Sequence, residues 1–293
     1  MKRIPYGESP GGKTTEPFSD KLKNANQLIE YLESKGFKAA QTRLGEYVKF
    51  YEKFLADKCT KKEVQDNLLL IMREMDEWSW IYRGLKVKEP EGFLELLKEA
   101  LGGPTFSKNE SANTRARNIQ LELRIGSYFL QSGFDINFAG LSDLVVDVAG
   151  HPVFVECKRL NSPKQVTKRA KEAASQLKAR YKVSKRPAYG LVVLDVSRVI
   201  HPEQGIATGV NTLVARDGIR AQLVQFDREH DTSEIFAKDK KLISVWIQAI
   251  VPTAHLEENE PSTRFSSIHS IYAHEGQRRW HLFHKLKKAF EVV

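Results

Sequence analysis

Residues 142–160 read SDLVVDVAGHPVFVECKRL, and this stretch decides the fold. Two valine-rich runs flank Gly150-His151, a pair that suits a two-residue hairpin turn with glycine first. Pro152 would then open the second strand, where proline is tolerated. With Ala149 opposite Pro152, Asp143 faces Lys158, Val145 faces Glu156 and Asp147 faces Phe154. Side chains alternate along a strand, so Asp143, Val145, Asp147, Phe154, Glu156 and Lys158 share one face. Leu144, Val146, Val148, Val153, Val155 and Cys157 make the other, which is wholly apolar.

The charged face has two readings. It could be a solvated surface with cross-strand ion pairs, which are common and worth little. Against this, the face also carries Val145 and Phe154, and a basic helix follows directly, placed to cover one side of the sheet. Carboxylates under cover are costly unless paired or bound to metal. In this register Asp143 and Glu156 are diagonal neighbours, with Cβ atoms roughly 7–8 Å apart. Two carboxylates so placed can bracket a hard cation, and oxygen ligands without His or Cys suit Mg²⁺ or Mn²⁺ rather than Zn²⁺. Lys158 beside them could position a water or stabilise negative charge developing on a phosphate.

Asp143, then twelve residues, then Glu156-Cys157-Lys158 resembles the signature of the PD-(D/E)XK nuclease superfamily. The resemblance covers about 80 residues, 115–196, and Ser142 stands where the family name has proline. It implies an α/β fold, a restriction-endonuclease-like mixed sheet flanked by helices. It further implies that Asp143 and Glu156, with the backbone carbonyl of Cys157, bind Mg²⁺ (or Mn²⁺) and that Lys158 orients the attacking water. The Cys157 side chain should point into the core. The family often adds a glutamate from the preceding helix, and Glu122 is the candidate. It shares a helical face with Asn118, Ile125, Gly126 and Phe129, and Gly126 would leave space beside it. Relatives carry Gln and Tyr spaced Q-x-x-x-Y on the following helix; Gln176 and Tyr181 have one residue too many between them.

Working outward, 162–182 is a helix started by Ser162-Pro163, with an apolar stripe from Val166 through Ala170, Ala173, Ala174 and Leu177 to Tyr181. From Lys158 to Arg186 there are eleven Lys or Arg and one acidic residue, Glu172. That imbalance favours a phosphate backbone as partner, with Lys164, Lys168, Lys171 and Lys178 as contact residues. AYGLVVLDVSRV, 188–199, reads as a strand buried on both faces, with Asp195 as a cap or turn former near its end. A helix is expected over 210–229, strands near 242–252 and 265–273, and a basic helix over 278–290. His269, His274, His281 and His284 lack a metal-ligand spacing.

Before this core, 19–105 is helical throughout and is expected to be an all-α domain, leaving 106–293 as the nuclease-like domain with a C-terminal elaboration. Residues 1–18, rich in Gly, Pro and Thr, are expected to be a flexible tail. Within them GESPGGKT, 7–14, fits the phosphate-binding P-loop pattern, but too little chain precedes it for the strand that mechanism needs.

Composition sets outer limits. The 293 residues carry a net charge of +9, which suggests a polyanionic partner. No run approaches 18 apolar residues, the start lacks the apolar stretch of a secretory signal, and two cysteines about 100 positions apart suggest no disulfide framework. A cytoplasmic setting without membrane partnership is expected. The expected function is hydrolysis of phosphodiester bonds by a metal-dependent nuclease acting on DNA rather than RNA, in bacterial defence or repair. The rivals are a non-cleaving nucleic-acid-binding protein on the same fold, and an interaction protein whose helical half makes a homo-oligomer or binds a partner protein.

Overall fold

The computed structural model describes residues 4–7, 18–105, 115–138, 143–200, 207–209, 212–255 and 262–287. In chain order the elements are β1 (Ile4–Gly7), α1 (Phe18–Ser34), α2 (Arg43–Leu55), α3 (Lys61–Val87), α4 (Phe93–Leu101) and α5 (Arg115–Gln131). There follow β2 (Asp135–Asn137), β3 (Leu144–Val148), β4 (His151–Arg159), α6 (Val166–Val183), β5 (Tyr189–Asp195) and α7 (Ser197–Ile200). The chain ends in β6 (Ala207–Gly209), α8 (Thr212–Glu229), α9 (Ser233–Phe236), β7 (Leu242–His255), β8 (Ser262–Ile271) and α10 (Arg278–Leu286).

The fold is α/β. One mixed, open sheet runs β1-β8-β7-β5-β4-β3-β2, with β6 beside the end of β7. Its centre, β4, β5 and β7, is parallel; both flanks are antiparallel. Helices cover both faces, which is why β5 is buried at both alternating sets of residues. Leu191 and Val193 join a core with α1–α5 and α10, while Val192 and Leu194 join a second core with α6, α8 and α9.

The hairpin turns one residue earlier than the glycine-first reading places it. Val148 pairs with His151 and Asp147 with Pro152, so the turn is Ala149-Gly150, both at positive φ (53° and 78°). Two positive φ angles define a type I′ turn, whose twist matches the strands. Asp147 supports it by accepting the Gly150 N–H at 2.8 Å. Every cross-strand partner therefore moves by two residues: Val145 faces Phe154, not Glu156, and the ladder continued one step sets Asp143 against Glu156, not Lys158. A shift of two preserves the faces. Leu144, Val146, Val148, Val153, Val155 and Cys157 enter the helical core, and Phe154 enters the α6 core.

Two further expectations change. Within 1–18, Ile4–Gly7 is a strand antiparallel to β8 rather than tail; the rest of the P-loop-like stretch, 8–14, lies outside the described residues. The packing also runs across the boundary at 105/106. Leu28, Tyr47, Met72, Trp78 and Leu97 share one core with Ile125, Val146 and Trp246. The long helix α3 is the reason: from Leu70 to Ile81 every residue is buried.

Candidate active site

β4 carries Glu156 and Lys158 on the face that α6 covers. The α6 stripe of Val166, Ala170, Ala173, Ala174 and Leu177 is buried against that face, and Tyr181 meets the Phe154 ring at 6.5 Å. Glu156 is fully buried. Asp143, just before β3, accepts the Cys157 backbone N–H at 2.8 Å through Oδ2. The Lys158 ammonium lies between the two carboxylates, 3.3 Å from Asp143 Oδ2 and 3.2 Å from Glu156 Oε2. A cavity of about 370 Å³ opens there, lined among others by Asn118, Glu122, Asp143, Lys158, Arg159 and Gln176. Four residues singled out in the sequence as catalytic, Glu122, Asp143, Glu156 and Lys158, are thus brought together.

Electrostatics here favour protons on Glu156 and Glu122. Burial, then the charge of Asp143, raises Glu156 from 4.5 to about 7 against the opposing pull of Lys158. Burial, then Asp143 and Glu156, raises Glu122 to about 9. Burial works against charge on Lys158, yet Asp143 and Glu156 overcome it and raise its pKa. Protons on Glu122 and Glu156 offset the crowding of three acids around Lys158, and a bound cation could take the place of those protons.

Glu156 Oε1 is buried without a hydrogen bond, with Arg180 Nε 3.9 Å away. An orphaned carboxylate oxygen beside a second carboxylate fits an oxygen-seeking metal. Among the described residues no three His, Cys, Asp or Glu side chains form a ready-made metal cage. The residues that fit the ion are therefore the facing pair Asp143 and Glu156. The Cys157 side chain is buried in the core, as the resemblance implies, and burial raises its thiol pKa.

Other candidates divide. Gln176 lines the cavity, and its Oε1 is buried without a hydrogen bond; Tyr181 points elsewhere, its hydroxyl filling the space where a Cβ on Gly190 would sit. Gly126 leaves no space for Glu122: the Phe138 ring occupies it, 2.4 Å from where a Cβ would stand. Lys164, Lys168, Lys171 and Lys178 are all exposed on the α6 side. Asp147 is a turn residue with Arg186 3.7 Å away. His269 is buried beside Trp246, and burial lowers its pKa to about 3, while His274, His281 and His284 are exposed. Ser142 lies outside the described residues.

What the sequence reading missed is a buried charge network next door. Glu77 of α3 takes Arg159 Nη2 on both oxygens, at 2.9 and 2.8 Å, and pairs with Arg124 at 3.0 Å. Glu74 pairs with Arg117 at 2.8 Å and Arg43 at 3.2 Å. Asp195 pairs with Arg124 at 2.9 Å and accepts the Ser197 N–H and hydroxyl, so its capping role is only part of its work. Arg159 follows Lys158 directly, so this network anchors the end of the strand that carries the cavity. A signal existed: Trp78, Trp80, Met72 and Met75 surround α3 instead of forming one stripe, which marks a helix buried all round.

Compared with protein-family models, curated proteins and solved structures, the chain finds no match in any of them. Among the described residues, no helix is long and apolar enough to cross a membrane.

Proposed function

We propose that this chain is a metal-dependent nuclease with a restriction-endonuclease-like core, hydrolysing phosphodiester bonds in DNA. One observation carries the reading: Glu122, Asp143 and Lys158 line one cavity, and the Lys158 ammonium lies between Asp143 and the buried Glu156. Asp143 and Glu156 would hold Mg²⁺ or Mn²⁺, and the bound ion would acidify a water and offset charge on the scissile phosphate. Lys158, tethered by both carboxylates, positions the water or the phosphate oxygen. Glu122, its pKa raised to about 9, holds a proton at neutral pH and can donate it within the cavity. The exposed lysines of α6 would track the strand's phosphates and place the scissile bond.

Purified wild type, Glu156→Ala, Lys158→Ala and Asp143→Asn should be incubated with supercoiled, linear and single-stranded DNA and with RNA, in Mg²⁺, Mn²⁺ or EDTA. Wild type should cut only with metal, and each variant should lose cutting by a factor on the order of 10² or more, the worth of one electrostatic contact to a transition state. Undiminished cleavage by the variants sinks the assignment. Tight, metal-independent binding without any cutting would establish the non-cleaving reading instead.

A further inference from the structure

The helical half carries another cavity, of about 710 Å³, and none of the residues that line it lines the cavity at Lys158. Its walls follow from two helix ends. Past α1, Gly36 takes φ 86°, and the Gly36 and Phe37 N–H groups donate to the Glu33 and Leu32 carbonyls at 2.9 and 3.0 Å. This glycine-closed helix end satisfies the last carbonyls of α1 and sets Lys35, Phe37 and Lys38 along one wall. The other wall is α4, where Leu94, Lys98 and Leu101 stand at i, i+4 and i+7 and so share a face. Leu94 is half-buried yet joins neither hydrophobic core, and Phe37 is half-buried as well. Apolar surface is therefore left facing the space between the walls.

The charges of the lining do not balance. Lys35, Lys38 and Lys98 line the cavity, with Glu95 as their one acidic counterpart among its lining residues. Lys35 has Glu89 at 3.5 Å, a solvent-exposed pair of little worth. Among the described residues, the side chains of Lys38 and Lys98 have no ion pair. The dipole at the end of α4 favours a cation in its last turn, which accounts for Lys98. It does not account for Lys38, nor for the apolar side chains between the lysines.

We propose that this cavity binds a small amphipathic anion: an apolar body against Phe37, Leu94 and Leu101, and a carboxylate or phosphate end among Lys35, Lys38 and Lys98. Three observations select that class. The volume falls within the roughly 300–1,000 Å³ of small-molecule pockets. The apolar lining would be unused by a bare phosphate backbone. The lysines can swing their ammonium groups over an anionic end while their stems stay on apolar surface. The site stands apart from the nuclease reading and does not rest on it.

Calorimetric titration of full-length protein tests the site. The probes are decanoate, decyl phosphate, decyltrimethylammonium and an acidic amphipathic peptide, the amphiphiles below the concentrations at which they form micelles. The proteins are wild type, Lys38→Glu with Lys98→Glu, and Glu95→Gln, with Tm recorded for each. Wild type should bind an anionic amphiphile one-to-one and discriminate against decyltrimethylammonium. The lysine double variant should bind it roughly tenfold or more weakly, the loss of charge-assisted contacts. Glu95→Gln should bind it more tightly, a gain that cannot come from damage to the fold. Preference for decanoate assigns a carboxylate end; preference for decyl phosphate assigns a phosphate. Binding of neither anion, equal binding of the cationic probe, or unchanged affinity in the lysine variant overturns the site. Binding of the peptide alone gives the groove to a protein partner and overturns it too.

Discussion

Two buried groups of charges lie side by side in this molecule, at adjacent residues of β4, and they are tuned in opposite directions. Around Glu74, Glu77 and Asp195 the arginines outnumber the carboxylates. Burial would raise Glu74, yet Arg117, Arg43 and Arg159 bring it down to about 2, and Arg124 with Arg159 likewise holds Asp195 below the usual carboxylate range. Around Glu122, Asp143 and Glu156 there is one lysine between two of the acids, and the pKa of Glu122 and of Glu156 rises. Glutamate is held ionised in the first group and shifted toward its protonated form in the second, because its neighbours differ in sign. The first group is held together by its charges. The second holds its acids toward their protonated forms, and perturbed pKa values of this kind cluster at functional sites.

The sharpest break of this contrast is to remove one acid from each group. Glu77→Ala strands Arg124 and Arg159 in the interior, and breaking a buried pair in this way costs about 3–5 kcal/mol. Glu122→Gln removes a carboxyl that its surroundings already keep protonated, so the metal-free protein should be as stable as wild type or more so. Urea denaturation at pH 8 reads both. Equal losses in the two variants would show that the cavity acids are structural after all.

This contrast was only half legible in the sequence. Alternation of valines with Asp143, Glu156 and Lys158 revealed the faces of the hairpin because side-chain direction has a period of two. The same period hid the register, since sliding the strands by two residues leaves each face unchanged. What chose the register was Ala149 at positive φ, a conformation favoured by Asn or Gly and not readable from alanine. The charge network was less legible still. Glu74, Glu77, Arg117 and Arg124 look like ordinary helix-surface residues until their partners, distant in sequence, are known. The short strands Ile4–Gly7, Asp135–Asn137 and Ala207–Gly209 carry too few residues for a periodic signal, and they exist because a longer strand offers an edge.

A smaller test uses pH. Unfolded, Glu122 and Glu156 lose their protons near 4.5; folded and metal-free, they keep them up to about 9 and about 7. Across that window the native state binds more protons than the unfolded state, so stability falls as pH rises from about 5 toward 9. The slope is at most about 1.4 kcal/mol per pH unit for each group. Added Mg²⁺ or Mn²⁺ competes with these protons, so the Tm gain it gives should grow over the same window. Glu122→Gln should flatten the upper part of the metal-free decline. A metal effect that shrinks with rising pH would place the ion away from these carboxyls.

Smaller again is the contribution of the α6 surface. Lys168, Lys171 and Lys178 are exposed, and each is expected to meet a phosphate. On duplex DNA, log K should change with log salt by about −0.9 per neutralised phosphate, so replacing all three by Gln should flatten the slope by up to about 2.7. Metal binding and Tm should not move, because none of the three touches either charge group. An unchanged slope would move the nucleic-acid surface elsewhere.

The smallest expected effect falls on Asp147, and it separates position from residue type. Asp143 and Asp147 lie on one face of the same hairpin. Four residues along a strand is roughly 13 Å, too far for both to ligate one ion. Asp143 touches Lys158 and the Cys157 N–H, and stands opposite Glu156. Asp147 faces Pro152, bonds the Gly150 N–H in the turn and lies near Arg186 at the surface. Asp147→Asn keeps an oxygen that can accept the Gly150 N–H, so stability should change by no more than about 0.5 kcal/mol and cleavage by no more than about twofold. Asp143→Asn, by the same substitution, should lose Mn²⁺ binding and cleavage together. Calorimetric titration of Mn²⁺ into the two variants, with plasmid cleavage alongside, reads the difference. If Asp147→Asn is the inactive one, the ion sits at the turn end of the hairpin, and the raised pKa values of Glu122 and Glu156 need another explanation.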